Sequence, residues 1–189
     1  MRKLIRLNMF NNVSLDGYFT DTNSDMSWAH QGGDDPEIRE FTAGNARGAA
    51  ALVFGRVTYE MMAAFWPSPA AAQMMPDVAA GMNRARKYVF SRSLKKVDWE
   101  NTVMLNGDPA QEIARLKREG DLPLTVLGSG SITKQLIAAG LIDDYQLMVC
   151  PVILGGGRTL FEGTTGRPVL KLAHSRVFQN GRVFLHYTA

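Results

Sequence analysis

The sequence predicts an α/β domain with a mixed, mostly parallel central sheet flanked by helices and completed by a C-terminal antiparallel hairpin. Two observations predict the parallel part: the apolar runs 49–54 and 122–127 each lead, across glycines, into a helical pattern. The third is Asn180-Gly181, the strongest hairpin signal in the chain, which lies between two strand-like runs. At 189 residues we expect a single domain over 1–189.

The composition favours a cytoplasmic protein that binds small ligands. Hydrophobic residues make up 46% of the chain, enough for a substantial core, and the net charge is only +3. No basic stripe indicates a nucleic-acid partner, and no run reaches the roughly 18 apolar residues of a membrane span. The one cysteine, Cys150, excludes an internal disulfide, and the scattered His30, His174 and His186 predict no metal site.

The first elements are predicted to be a strand, a loop and a helix. Residues 3–11 alternate in character as a strand does, and the turn-forming residues 12–17 indicate a loop. Asp16 in this loop either caps a turn or faces a ligand as proton donor or polar anchor. Asp35 as N-cap and Pro36 at the first helical position then predict a helix that extends to about residue 46.

The junction after the run 49–54 is the first candidate anion site. Thr58 can serve as N-cap of the helix that follows Gly55, so free N–H groups and the positive end of the helix dipole would face a ligand. Arg56 adds a positive charge and a bidentate fork beside them. A phosphate suits such a position, and an ordinary strand–turn–helix with a solvated arginine is the alternative.

The middle of the chain offers a second polar strand end. We expect a helix or a pair of turns over 70–84 around Pro76, a strand over 87–90, a strand over 102–105 and a helix over 109–119. Three residues follow the strand 87–90: Ser91, Arg92 and Ser93. Two hydroxyls that flank a guanidinium either hold a phosphate by charge-assisted hydrogen bonds or form an ordinary polar strand exit.

A glycine-rich turn at 128–131 repeats the logic of the first junction, between a strand over 122–127 and a helix over 132–139. It does not match the dinucleotide fingerprint, because Thr133 stands where a third glycine is required. It does not match the phosphate loop of nucleotide hydrolases either, because Thr133 and not glycine precedes Lys134. Together, the two strand-to-helix turns could still bind a pyrophosphate from two sides. The alternative is that these glycines only form a tight turn between strand and helix.

The last third is predicted to be rich in strands. A long strand covers 144–152, and a turn over 151–157 ends in three successive glycines. Arg158 after them is a possible anion contact. The runs 169–178 and 182–187 form the hairpin.

Five segments carry a resemblance to a known family over essentially the whole chain. They are VSLDGYF at 13–19, FGRVTYE at 54–60, FSRSL at 90–94, LGSGSITKQL at 127–136 and PVILGGGRTLF at 151–161. In this order and spacing they resemble the dihydrofolate reductase superfamily. Within it, they resemble the branch named for the C-terminal reductase domain of the bacterial bifunctional riboflavin-biosynthesis enzyme, here as a stand-alone member.

The resemblance implies a dihydrofolate-reductase-like fold and an NADPH-dependent oxidoreductase. Hydride would pass to a C=N or C=O carbon of a small heterocyclic substrate, as in the 5-amino-6-(5-phosphoribosylamino)uracil reductase of riboflavin biosynthesis. It implies that the cofactor phosphates lie against Gly55, Arg56, Val57, Thr58, Ser91, Arg92, Ser93, Gly128, Ser129, Gly130 and Ser131. The Ser91 to Ser93 segment would lie by the adenosine 2′-phosphate, which favours NADPH over NADH.

The resemblance also implies a catalytic centre and an assembly. Asp16 would lie beside nicotinamide and substrate as the proton source or the organiser of a water, and we expect Gly156 and Arg158 to contact the substrate as well. A homodimer is implied, and the apolar run 145–153 is a candidate part of its interface.

Two alternative functions stay open. Dihydrofolate reductases carry an acidic residue on their first long helix, and the helix predicted here offers Glu37 and Glu40 near Phe41, without a clear register. Dihydrofolate or pterin reduction is therefore one alternative. A non-catalytic, regulatory protein that keeps the dinucleotide site is the other.

Overall fold

An eight-stranded sheet forms the centre of the protein, and a separate two-stranded sheet flanks it. The computed structural model describes residues 4–31, 35–164 and 167–189. In these residues the strands are β1 (Leu7–Ser14), β2 (Tyr18–Thr20), β3 (Ala51–Gly55), β4 (Lys87–Phe90), β5 (Thr102–Leu105), β6 (Leu124–Leu127), β7 (Asp144–Cys150), β8 (Arg158–Thr159), β9 (Lys171–Val177) and β10 (Val183–Thr188). The large sheet has the order β5-β4-β3-β6-β1-β7-β10-β9, and β2 pairs with β8.

The mixed sheet with a C-terminal antiparallel pair confirms the predicted fold class. Neighbouring strands from β5 to β7 are parallel, whereas β10 pairs antiparallel with both β7 and β9. The helices of the described residues are α1 (Pro36–Arg47), α2 (Arg56–Phe65), α3 (Pro69–Met74), α4 (Pro76–Arg84), α5 (Pro109–Glu119) and α6 (Gly130–Ala138). A short 3-10 helix covers Ser27–His30.

The helices cover both faces of the sheet. On β3, Val53 packs in the cluster that contains residues of α5 and α6, while its neighbours Leu52 and Phe54 pack in the cluster that contains residues of α1, α2 and α4. Successive side chains of a strand point to opposite faces, so these two clusters lie on opposite sides of the sheet. No helix in the described part of the chain is long and apolar enough to cross a membrane.

The apolar run 145–153, predicted as part of a shared interface, lies mostly inside the sheet. Strand β7 runs between β1 and β10, and Tyr145, Met148 and Cys150 are buried. Burial raises the pKa of the Cys150 thiol. One edge of the sheet is formed by β9, where every residue is exposed. A continuous apolar strand is also typical of the sheet centre, so the interface role of the run 145–153 stays a prediction.

A lysine is buried at the start of β4. The ammonium group of Lys87 donates to the carbonyl oxygens of Asn83 at 3.0 Å, Ala85 at 2.6 Å and Glu100 at 3.0 Å. It also lies 4.4 Å from the ring centroid of Trp99. Burial lowers the pKa of Lys87 from 10.5 to about 8.

This shift predicts a pH-dependent stability. Between about pH 8 and pH 10.5 the unfolded state holds a proton on Lys87 that the folded state does not, so the free energy of unfolding should rise with pH there. The rise from this one group is about 3 kcal/mol, and it should be absent from Lys87→Met. Urea unfolding across this range measures it, with Lys95→Met, at an exposed lysine, as control. Parallel profiles for wild type and Lys87→Met would contradict the prediction.

Candidate active site

The two glycine turns predicted from the sequence lie side by side. Strands β3 and β6 are parallel neighbours, with Val53 opposite Val126, so both turns leave the same edge of the sheet. The backbone N–H of Gly55 donates to Ser129 Oγ at 2.8 Å. Ser129 Oγ in turn donates to the carbonyl oxygen of Leu127 at 3.2 Å. The serine side chain therefore joins the two turns.

The first turn exposes the start of α2. The helix begins at Arg56, with Gly55 as N-cap and no side-chain cap. The prediction of Thr58 as N-cap is wrong, because the N-cap is Gly55, three residues earlier, and Thr58 lies in the first turn of the helix. With no side chain capping it, the first N–H groups of α2 are left to an external acceptor. Arg56 forms an exposed ion pair with Glu60 at 2.8 Å, which is worth little in water and leaves the guanidinium free to reorient.

The second turn is built from two successive left-handed residues. Gly128 has φ +59° and Ser129 has φ +55°, and α6 begins immediately after them. Thr133 Oγ1 donates to the carbonyl oxygen of Gly128 at 3.1 Å and closes the turn. At Gly130 an added Cβ would lie 2.5 Å from Phe19 Cζ. A side chain at position 130 would therefore require the buried ring of Phe19 to shift.

The third polar turn follows β4. Ser91 is buried, and its Oγ accepts from the backbone N–H groups of Ser93 at 3.1 Å and Leu94 at 2.8 Å. Arg92 and Ser93 are exposed. Arg92 has no ion-pair partner among the described residues, so its guanidinium is available to an anion, while Ser91 orders the turn.

All eleven residues predicted to hold phosphates line one cavity of about 1530 Å³: Gly55, Arg56, Val57, Thr58, Ser91, Arg92, Ser93, Gly128, Ser129, Gly130 and Ser131. Sequence reasoning missed the segment 106–109, which lines the same cavity. The signal was present, because β5 ends at Leu105 and is followed within a few residues by Asp108 as N-cap and Pro109 at the start of α5. It is the strand–turn–helix pattern already recognised at the other two junctions.

Asp16 lies outside this lining. Its carboxylate accepts from Ser14 Oγ at 2.6 Å and from the backbone N–H groups of Leu154 at 3.2 Å and Gly155 at 2.8 Å. The hydrogen bond from Ser14 and then those from the backbone lower the pKa of Asp16. An ionised carboxylate with three donors is poorly placed to release a proton, so this geometry favours a structural role. The catalytic role of Asp16 stays a prediction.

Of the other two residues predicted to contact substrate, one lines the cavity. Arg158 does so, and its guanidinium lies 5.4 Å from the ring centroid of Phe19. Gly156 is not part of the lining, and an added Cβ there would lie 3.3 Å from Thr22 Cγ2. Arg158 therefore remains the candidate for a charged contact to a ligand.

Helix α1 presents no carboxylate to the cavity. Its lining residues include Ile38, Phe41, Thr42 and Asn45. Glu37 and Glu40 lie outside the lining and pair with Arg176 and Arg47 respectively. The acidic residue that dihydrofolate reductases place on their first long helix thus has no counterpart in α1.

The sheet order and the cavity at the carboxyl ends of its parallel strands define a dihydrofolate-reductase-like α/β protein. The chain belongs to the RibD C-terminal domain family, whose model matches residues 5–184. Two relatives from Bacillus subtilis (strain 168) carry the names "Uncharacterized protein YyaP" and "Uncharacterized protein YwjB". Each is 26% identical, with alignments that cover 93% of this chain and 90% and 92% of those proteins.

Solved structures share the fold at lower identity. The "Putative riboflavin biosynthesis protein" of Shewanella sp. PV-4 is 22% identical with a TM-score of 0.76, over 97% of this chain and 98% of that one. A pyrimidine reductase-like protein from Corynebacterium diphtheriae is 14% identical with a TM-score of 0.62, over 97% and 91%. The third is the diaminohydroxyphosphoribosylaminopyrimidine deaminase/5-amino-6-(5-phosphoribosylamino)uracil reductase of Thermotoga maritima, 14% identical with a TM-score of 0.65. That match covers 98% of this chain and 56% of that one.

Proposed function

We propose that this protein is an NADPH-dependent reductase of a small heterocyclic substrate, similar in chemistry to 5-amino-6-(5-phosphoribosylamino)uracil reductase. One observation carries the proposal: three polar strand ends line one cavity, and the hydrogen bond from Gly55 N–H to Ser129 Oγ joins two of them. Membership of a reductase-like family supports it. When bound, the cofactor would supply a hydride for a C=N or C=O carbon.

The residues present fit a dinucleotide phosphate. The N-terminal ends of α2 and α6 start at adjacent turns, and both offer N–H groups and the positive end of a helix dipole. Arg92 on the third turn offers a planar, permanently charged fork for a 2′-phosphate. The protein's share of catalysis would be to hold the cofactor against the acceptor and to exclude water.

A titration of the purified protein with NADPH and with NADH, followed by nicotinamide fluorescence, tests the proposal. We expect NADPH to bind more tightly than NADH. Arg92→Ala should lower the affinity for NADPH about tenfold or more and change the affinity for NADH little. Arg118→Ala, at an exposed arginine of α5, serves as control and should leave both affinities unchanged. Failure of wild type to bind either dinucleotide would overturn the reductase proposal.

A substrate screen with bound NADPH distinguishes the alternatives. The absence of a carboxylate among the α1 lining residues favours pyrimidine intermediates over pterins as first candidates. Oxidation of NADPH with a dihydropterin or dihydrofolate, and not with a pyrimidine, would support pterin reduction instead. Saturable binding without oxidation by any candidate would support a non-catalytic, regulatory protein.

Asp16 can be tested as a catalytic residue against its structural alternative. A proton source or water organiser at this position predicts that Asp16→Asn lowers turnover far more than it weakens NADPH binding, with an unchanged Tm. A structural role predicts that Asp16→Asn and Ser14→Ala both lower the Tm, because each removes part of the same hydrogen-bonded group. Turnover and binding that fall together would remove the catalytic role.

We propose that the protein forms a homodimer through the open edge at β9. Its backbone groups face solvent on one side, and Leu172 and Val177 are exposed apolar residues beside them. Exposed edges of this kind pair readily with a second chain. Light scattering should give twice the chain mass of 20.8 kDa, and Leu172→Lys should shift it toward the monomer. A monomer mass for wild type would overturn the proposal.

A further inference from the structure

Two buried polar side chains beside the cavity have no hydrogen-bond partner among the residues that the structure describes. Asn11 on β1 is 2% exposed, and neither its Oδ1 nor its Nδ2 has a hydrogen-bond partner among the described residues. Thr20 on β2 is 5% exposed, and its Oγ1 lacks a partner in the same part of the chain. Burial of such groups without a hydrogen bond is costly, and most buried polar groups in proteins are paired. The fold maintains both at a cost to its stability.

The other polar residues that are buried as a whole in the described part of the chain have hydrogen-bond partners. Lys87 has three carbonyl partners, Ser91 Oγ has two N–H donors, and Thr133 Oγ1 reaches the Gly128 carbonyl. Asn8 and Thr164 each have one buried oxygen without a partner, but these residues are only partly buried. Asn11 and Thr20 differ from them because the whole residue is buried.

Both residues lie next to the second glycine turn. The backbone N–H of Gly128 donates to the carbonyl oxygen of Phe10, which immediately precedes Asn11. Phe19, which immediately precedes Thr20, is packed against the backbone of Gly130. Asn11 and Thr20 also line the large cavity. The two unpaired groups therefore border the site at the turn where a dinucleotide is proposed to lie.

We propose that Asn11 and Thr20 bind a neutral planar amide of the ligand, in which a C=O lies beside an N–H. The Asn11 carboxamide offers an acceptor and two donors, which is the complement of such a group, and the Thr20 hydroxyl can donate to the same carbonyl. A neutral pair in a buried position favours a neutral ligand group, because desolvation of an unpaired charge there would be costly. This inference rests on the proposed reductase function. Two sources share the chemistry: the carboxamide of nicotinamide and the ring amide of a pyrimidine substrate.

The stability of shape-matched variants gives the first test. Asn11→Leu and Thr20→Val remove the unpaired groups and nearly keep the volume, so we expect each to raise the Tm of the ligand-free protein by about 2 °C or more. Asn83→Leu is the matched control, because Asn83 accepts from Trp99 Nε1 at 2.7 Å and donates to the Trp66 carbonyl at 3.1 Å. It should lower the Tm. If Asn11→Leu lowers the Tm as far as Asn83→Leu does, Asn11 has a structural partner and the inference is overturned.

Calorimetric titration of three probes then identifies the ligand group. The probes are NADPH, 2′,5′-ADP, which lacks nicotinamide, and 5,6-diaminouracil. If the amide belongs to the cofactor, Asn11→Leu should lower the affinity for NADPH about tenfold or more and leave the affinity for 2′,5′-ADP unchanged. If the amide belongs to the substrate, Asn11→Leu should lower only the affinity for 5,6-diaminouracil, by a similar factor.

The outcomes separate this inference from the reductase proposal. Unchanged affinity for all three probes in both Asn11→Leu and Thr20→Val overturns the amide site, while NADPH binding by wild type still supports the reductase. Binding of 5,6-diaminouracil that depends on Asn11, without any NADPH binding, supports the amide site and removes the reductase. Wild type that binds none of the probes overturns both.

Discussion

Gly157→Ala is expected to lower the free energy of unfolding by about 3 kcal/mol or more. An added Cβ at Gly157 would lie 2.0 Å from the carbonyl oxygen of Thr20 and 3.0 Å from Asp21 Cα. These are backbone atoms, so relief requires that β2 and β8 move apart. The φ of Gly157 is +139°, which a residue with a side chain rarely adopts. Urea unfolding monitored by tryptophan fluorescence measures the loss.

Gly155→Ala is the matched control for this prediction. Gly155 also has a positive φ, +69°, but an added Cβ would meet no atom of the described residues within 4 Å. Its cost should therefore be limited to the backbone conformation, about 1 kcal/mol. If both variants lose the same free energy of unfolding, the close approach of Gly157 to Thr20 does not contribute to stability. Because Thr20 borders the proposed amide site, Gly157→Ala should also weaken ligand binding more than Gly155→Ala does.

Gly81→Ala should produce the second large effect, a loss of about 2–3 kcal/mol. Helices α1 and α4 cross at this glycine, and an added Cβ would lie 2.3 Å from the carbonyl oxygen of Ala46 and 2.8 Å from its carbonyl carbon. The helices must separate to admit the methyl group. Since α1 also lines the cavity through Ile38 and Phe41, the affinity for any ligand beneath it should fall along with stability.

The control for Gly81→Ala is the same substitution at Gly44, in the last turn of α1. There, among the described residues, an added Cβ would approach only Arg47 Nη2, at 3.8 Å. Alanine is favoured over glycine in a helix by about 1 kcal/mol, so Gly44→Ala should stabilise the protein. Identical chemistry at two helical glycines should therefore change stability in opposite directions. A loss at both positions would contradict the packing argument.

The sequence predicted best those elements whose ends carry strong local signals. Helix α5 has the predicted bounds 109–119, and the structure shows Asp108 as its N-cap, Pro109 at its first position and Gly120 as its C-cap. Strand β1 continues three residues beyond its predicted end, through Ser14, because pairing with β7 overrides the polar character of that segment. The strands β2 and β8 were missed, because segments of three and two residues are too short to show a period.

The candidate site was predictable where chain topology decides it. Strand ends of a parallel sheet meet at one edge, so the eleven residues on three separate turns could be expected to gather there. The partners of Asp16 could not be predicted, because Leu154 and Gly155 lie 138 and 139 residues away along the chain. The unpaired state of Asn11 was equally hidden, since it depends on every neighbour of a side chain in the folded core.

Because Cys150 is buried, the rate at which a thiol reagent labels it measures how often the surrounding structure opens. Because this is the only cysteine, a thiol-specific dye has one possible target, and that target is 2% exposed at the end of β7. The dye can react only after the residues that pack against Cys150, among them Trp28 and Phe178, have moved away, so the labelling rate measures that local opening. Any molecule that binds in the cavity beside β1, the strand paired with β7, should lower the labelling rate. The native Cys150 can therefore report ligand binding in a screen that needs no assay of turnover.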